Sequence, residues 1–273
     1  MKTLYIECKM GAAGDMLTAA LLELMEDKEQ ALRELNDLGI PHVAYSCENS
    51  EKCGITGTHM HVTVDGEEEG EHHHHHEEDH DHHHHDHDED HKHHHHDEEE
   101  HEHHHHHHEE EHEHHHHHHE EDHDHHHHHV HRGMDEIRDM IGATHAPQAV
   151  KDHALAVYET IARAEGKVHD KPITDIHFHE VGTYDAVADV MAVCYLLDKL
   201  GAERIVVSPI HVGSGTVHCA HGVLPVPAPA TAEILKEAPI YGGGVQGELC
   251  TPTGAALLQH FAGTYGDMPV MQV

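Results

Sequence analysis

Residues 101–129 read HEHHHHHHEEEHEHHHHHHEEDHDHHHHH, imidazoles and carboxylates with nothing apolar among them. Between Glu67 and His131 lie 37 of the chain's 49 histidines and 25 of its 53 acidic residues, against one lysine. Neutral imidazole is a good ligand for nickel, zinc and copper(II), and the interspersed carboxylates add attraction and occasional coordination. The run has no thiolate, which argues against a soft copper(I) site. Affinity alone favours copper over nickel, so the pattern does not choose the metal. His103, His114 and His125 stand for many weak, exchanging ligands spread along the run. Their metal binding is expected to weaken as pH falls through about 6.5, where imidazoles protonate. The plainer reading is a solvated insert. Either way the run cannot bury enough apolar area to offset chain entropy and is expected to be disordered. A spacer, however, would use Ser, Gly or Pro rather than His.

A second constellation is HFHEVGTYDAVAD, residues 177–189. On an extended segment His177 and His179 point to one face, and Glu180 follows at once. Asp185 and Asp189 are four apart on the next predicted helix and share a face. Two imidazoles and two or three carboxylates suit nickel, cobalt, manganese or zinc. Glu180, Asp185 and Asp189 are also candidates to accept a proton during chemistry at such a site. The alternative is that Asp185 caps a helix and Asp189 is solvated. In HVGSGTVHCAHG, residues 211–222, His218 and His221 are reserve ligands beside Cys219, and Gly213 and Gly215 permit close backbone approach. Satisfied structural histidines fit that motif almost as well.

Two glycine-containing turns enter helices. In LCTPTGAALL, residues 249–258, Thr251 reads as an N-cap with Pro252 at the first helical position. Free N–H groups there would make an anion-ready start, with Thr251, Thr253 and Gly254 as candidate substrate contacts. An ordinary capped helix is the equal alternative. In MGAAGDM, residues 10–16, Asp15 reads as the N-cap and as a further candidate substrate contact. This turn has no lysine and lacks G-x-x-x-x-G-K-[ST], which excludes a phosphate loop and a GTP-hydrolysing nickel chaperone built on one.

The elements that must hold these groups follow from periodicity. Thr3–Ile6 reads as a buried strand, MLTAALLELME and KEQALRELNDL as helices, and His42–Cys47 and Thr58–Val64 as strands joined through KCGITG. MDEIRDMI is a short helix, and Pro147 to Glu165 a longer one that Gly166 ends. Ile173–Val181 reads as partly extended. Tyr184–Leu200 is an amphipathic helix with Val187, Val190, Met191, Cys194 and Leu197 inward. Arg204–Ser208 and His211–Val217 are strands, Pro229–Glu237 and Gly254–Phe261 short helices, and MPVMQV the start of a strand. The expectation is a single mixed α/β domain, residues 1–66 and 132–273 packing together, interrupted by a long disordered His/Asp/Glu-rich insertion at 67–131.

A net charge of −38 with neutral histidines argues against nucleic acid and anionic membrane as partners and suits cations. No Trp and only two Phe leave the core to Ala, Val, Ile, Leu and Met. The six cysteines show no C-x-x-C spacing, so a zinc ribbon or thioredoxin-type site is not expected. MKTLYIECKM lacks the apolar run of a signal peptide, and no stretch approaches a membrane span. A cytoplasmic protein with reduced thiols is the expectation.

Taken together, LYIECKMGAAGDM, KCGITGTHMHV, HFHEVGTYDAVADV, SPIHVGSG, AHGVLPVPAPATAEIL and GELCTPTGAALL resemble the LarC family, the nickel insertion proteins of nickel-pincer cofactor biosynthesis. The motifs span nearly all of the chain outside the His-rich run. The resemblance implies a CTP-dependent cyclometallase that inserts Ni(2+) into pyridinium-3,5-bisthiocarboxylic acid mononucleotide, for use by lactate racemase. The metal is then held by two sulfurs and one ring carbon. It also implies CTP bound with Mn(2+) or Mg(2+) in a C-terminal domain, and a homo-oligomer. This chain stops where that domain would begin, as in forms separated by a ribosomal frameshift, so it is expected to need the C-terminal half as partner. The competing reading is a non-catalytic His-rich nickel store or chaperone.

Overall fold

Short aliphatic runs separated by capped helices give the chain its order. The computed structural model describes residues 1–68, 132–178, 180–219 and 221–272. The first part contains β1 (Thr3–Ile6), α1 (Gly14–Glu23), α2 (Lys28–Asn36), β2 (Val43–Lys52), β3 (Ile55–Val64) and β4 (Glu67–Glu68). β5 (Arg132–Gly133), α3 (Met134–Ala143), α4 (Gln148–Val168), β6 (His177–Phe178) and α5 (Tyr184–Leu200) follow. The chain continues through β7 (Arg204–Val207), β8 (Ile210–His211), β9 (Gly213–Ser214), β10 (Thr216–Cys219) and β11 (Gly222–Pro225). It closes with α6 (Pro229–Ile234), β12 (Ile240–Tyr241), β13 (Gly247–Glu248), α7 (Pro252–Phe261) and β14 (Thr264–Tyr265). This is a mixed α/β arrangement, with seven α-helices among the described residues. All of these residues belong to one unit formed by Met1–Glu71 with His128–Val273. Of the predicted insertion, only Glu67 and Glu68 are described. His103, His114 and His125 lie outside the described residues, as does His179.

β7 is the middle strand of a parallel three-stranded sheet, flanked by β1 and β14, with Thr3 opposite Arg204 and Thr264 opposite Val206. Parallel strands are covered on their faces, which matches the buried Val206 and Val207. Residues 1–68 and 132–272 therefore share one core. Tyr45 on β2 reaches across it, its hydroxyl donating to the Ala188 carbonyl of α5 at 2.8 Å.

α5 keeps its predicted bounds because both ends carry strong local signals. Thr183 accepts from the Ala186 N–H, and Gly201 closes the helix in the left-handed region. It is not amphipathic, however. Ala186, Ala188, Ala192, Val193 and Leu196 are buried as well as the five predicted positions, as a helix packed against α1, α4, α7 and β3 requires.

Other boundaries moved. α4 runs through Gly166 to Val168. That glycine is buried, and its carbonyl accepts from the Lys171 N–H at 2.9 Å, so it allows the returning chain to approach rather than ending the helix. α1 begins at Gly14, so Asp15 sits in its first turn and Ala13 is the N-cap, with no side-chain cap bond. β2 and β3 extend to a two-residue turn at Cys53 and Gly54, both at positive φ. MPVMQV forms no strand over its described residues. The third strand pairs earlier, at Thr264–Tyr265, where Gly263 and Gly266 donate to β7 carbonyls, whereas Pro269 has no N–H to give.

Candidate functional site

β6 is two residues long, and its alternation is decisive. Phe178 enters the core at 1% exposure, so His177 faces the other way. The strand pairs with β5, Gly133 lying opposite His177. A 3-10 turn at Glu180–Gly182 follows. The Arg132 guanidinium donates to the Gly182 carbonyl at 2.8 Å and stacks 4.3 Å over the Tyr184 ring, while the Tyr158 hydroxyl donates to the Val181 carbonyl. These bonds fix the backbone that presents Glu180. Across from it, β10 and β11 form a hairpin carrying His218, with His221 in its turn.

Between these elements lies a cavity of 330 Å³. It is lined by Glu165 and His169 from the end of α4, by His177 and Glu180, and by His218, Cys219, His221 and Glu248. His169 Nε2 is 3.4 Å from Glu165 Oε2, and its ring centre is 5.0 Å from that of His221. Among the described residues no lysine or arginine lines the cavity. Four imidazoles and three carboxylates are a donor set for a borderline divalent ion.

The electrostatics agree. Burial raises the Glu165 carboxyl above the ordinary carboxylate range, offset in part by His169 and His221 and reinforced by Glu180. Burial and then Glu180 raise Glu248 likewise, against one bond from the Ala228 N–H. Glu248 Oε1 is buried with no hydrogen-bond partner among the described residues. An orphaned carboxylate oxygen is costly unless a cation or proton meets it. By contrast, burial pushes the Cys8 thiol up to about 11 and Cys250 to about 12, so neither is a ready thiolate ligand at neutral pH.

The raised carboxyls set a sign. A folded Glu248 holds its proton to higher pH than it does unfolded, so the folded state loses stability as pH rises from the ordinary carboxylate range through the raised value. Glu248→Gln is expected to raise the melting temperature of the metal-free protein by about 2–4 °C at pH 7 and to leave it unchanged at pH 4. Differential scanning calorimetry at the two pH values reads this directly.

The predicted site residues divide. His177, Glu180, His218 and His221 come together around the cavity. Asp185 and Asp189 are not among its lining residues. Asp189 packs against Gly14, where an added Cβ would fall 2.4 Å from its carboxylate, and both aspartates act on the buried Tyr45 and Tyr158 hydroxyls. Thr251 caps α7, accepting from the Gly254 N–H at 3.1 Å and contacting Thr253 Oγ1 at 3.0 Å. Pro252 has no N–H, and the Gly254 N–H is taken by the cap. The Gly-rich turn of Asp15 covers that helix start, since a Cβ on Gly254 would meet the Ala12 carbonyl oxygen at 2.1 Å. Glu165, His169 and Glu248 were not anticipated. The first two are four apart near the end of one helix, a readable signal, whereas nothing local marks Glu248.

A family model described as nickel insertion protein matches residues 4–273. A pyridinium-3,5-bisthiocarboxylic acid mononucleotide nickel insertion protein of Clostridium kluyveri is 37% identical over 259 residues, 94% of this chain and 53% of that protein. Proteins of the same description from Desulfitobacterium hafniense and Staphylococcus saprophyticus are 33% and 31% identical over 274 and 270 residues. These matches cover 100% and 99% of this chain, and 53% and 54% of those proteins. The chain thus spans about half the length of the curated relatives it matches. No solved structure matches it. No helix among the described residues is long and apolar enough to cross a membrane.

Proposed function

The chain belongs to the nickel insertion protein family, and we propose that it is the half of such a protein that gathers nickel(II) and delivers it to pyridinium-3,5-bisthiocarboxylic acid mononucleotide. The observation that carries this is the cavity, whose imidazoles and carboxylates include a buried Glu248 oxygen with no partner among the described residues. The His-rich run raises the local concentration of nickel through many weak sites. It rejoins the described chain at Arg132, and Gly133 pairs with His177 on the cavity wall. His177, His218, His221 and Glu180 then hold the ion, with positions left open for the two sulfurs of the nucleotide.

Metallation at the ring carbon moves the C–H electron pair to nickel and releases a proton. A carboxylate whose affinity for protons is raised by burial is a suitable acceptor, and Glu165 and Glu248 have that property. CTP is assigned to the C-terminal half. An acid-lined cavity with no lysine or arginine among its described residues, beside a helix start whose Gly254 N–H is already bonded, does not fit a triphosphate. No step here passes through it. Cytoplasmic operation and homo-oligomerisation belong to the same proposal.

The test loads the chain with radioactive nickel, removes free metal, and adds the bisthiocarboxylate nucleotide with CTP, Mg(2+) and the C-terminal half. Nickel is expected to leave with the nucleotide once the two are separated. Retention of all the nickel on the chain would instead support the non-catalytic store that the His-rich composition also suits.

A further inference from the structure

The outer face of the β2–β3 hairpin gathers a separate set of donors. Register pairs Glu48 with His59, and His61 stands two residues along the same strand, so the three share one face. Met60 and Val62, on the opposite face, are buried. One ligand atom from each of Glu48, His59 and His61 lies within 4.8 Å of the other two. His61 Nε2 is 3.4 Å and His59 Nδ1 3.9 Å from Glu48 Oε1, and the imidazole centres are 4.3 Å apart. Donors bound at about 2.1 Å to one ion stand at most about 4.2 Å apart, so small rotamer adjustments close the set.

A second observation points to the same ion. His61 Nδ1 lies 2.6 Å from Glu68 Oε1. A carboxylate on one ring nitrogen holds the proton there and leaves the other nitrogen's lone pair free, the arrangement that orients metal-ligating histidines. With the Nδ1 proton turned to Glu68, the lone pair falls on Nε2, the nitrogen 3.4 Å from Glu48 Oε1.

We propose that Glu48, His59 and His61 form a surface site for a borderline divalent transition cation of the nickel, cobalt, zinc or copper class, with Glu68 as a positioning residue. Two imidazoles and one carboxylate exclude an all-oxygen magnesium or calcium cage. The remaining coordination positions stay open to water or to exchanging ligands, so the site passes metal on rather than storing it. Its place in the chain suits that use, because the His/acid-rich run follows directly on Glu68. The site stands on the hairpin geometry alone and does not depend on the role of the cavity.

The test uses the chain of residues 1–273 at saturating nickel(II) chloride and reads deuterium exchange at imidazole C2 by peptide mass spectrometry. Exchange needs the ring protonated, and a ligated nitrogen cannot take that proton. His59 and His61 are expected to slow at least ten-fold with nickel. His42, which meets Asp65 at 2.7 Å outside the donor cluster, is expected to change less than two-fold. Glu48→Gln should remove most of the protection at both histidines. Glu68→Ala should lower it at His61, and Glu68→Asp should restore it. Exchange at His59 and His61 as fast as at His42, or full protection in Glu48→Gln, overturns the site. Unaltered His61 protection in Glu68→Ala overturns the positioning role.

Discussion

Exchanging His177 and His218 together for alanine is expected to lower nickel transfer to the nucleotide at least about 100-fold, the scale on which loss of metal-site groups acts. Both side chains are exposed at the cavity rim, so the melting temperature should move by less than about 2 °C. The β6 pairing survives because it is made by backbone, and the packing is made by Phe178. The measurement is nickel bound to the nucleotide after separation from protein, with nickel supplied in equal total amount to both chains. The His-rich run is unchanged in the variant, so uptake itself is expected to persist. Transfer within three-fold of the unaltered chain would show that delivery passes elsewhere, and would turn attention to Asp185 and Asp189 on α5.

The second large effect concerns stability. Gly11→Val is expected to cost about 3–5 kcal/mol and to lower the melting temperature by roughly 6–15 °C. Gly11 sits at φ +82°, and an added Cβ would fall 1.8 Å from the Leu249 carbonyl oxygen. That approach lets the Ala12 N–H donate to Leu249 O at 2.9 Å and the Thr251 N–H donate to Ala12 O at 3.1 Å. The two Gly-containing helix starts thereby lock together residues some 240 positions apart in sequence. A branched side chain must break this contact and adopt a backbone conformation it disfavours. Gly57→Ala is the control: an added Cβ there has nothing within 4 Å, and its melting temperature should stay within about 1 °C. Urea unfolding of both variants decides the point, and a stable Gly11→Val chain would mean that the contact contributes little.

Several elements are legible from residues a few positions apart. Thr183 and Gly201 mark the ends of α5, Thr251 marks α7, and the Leu-Tyr-Ile run marks β1, because caps, turns and side-chain periodicity are local physics. Composition likewise suggests that residues 67–131 suit cations, without choosing the metal, and the long motifs resemble the nickel insertion family to which the chain belongs. The same local reading took Gly166 for a stop and Asp15 for a cap, since neither the returning chain at Lys171 nor the contact of Asp189 with Gly14 is visible along the sequence.

The cavity required the tertiary structure. His177 and Glu180 follow β6, Glu165 and His169 end α4, His218 rides a hairpin, and Glu248 lies on β13, so their convergence depends on how those elements pack. Burial is also a property of the packed chain. Glu248 reads as one more acid in sequence, and only the surrounding structure removes water from its oxygen and raises its hold on a proton. The hairpin donors show the boundary plainly: alternation put His59 and His61 on one face, but the pairing register brought Glu48 and Glu68 to them. Spacing specifies which way a side chain points along its own element, whereas the distance between elements is set by the core they share.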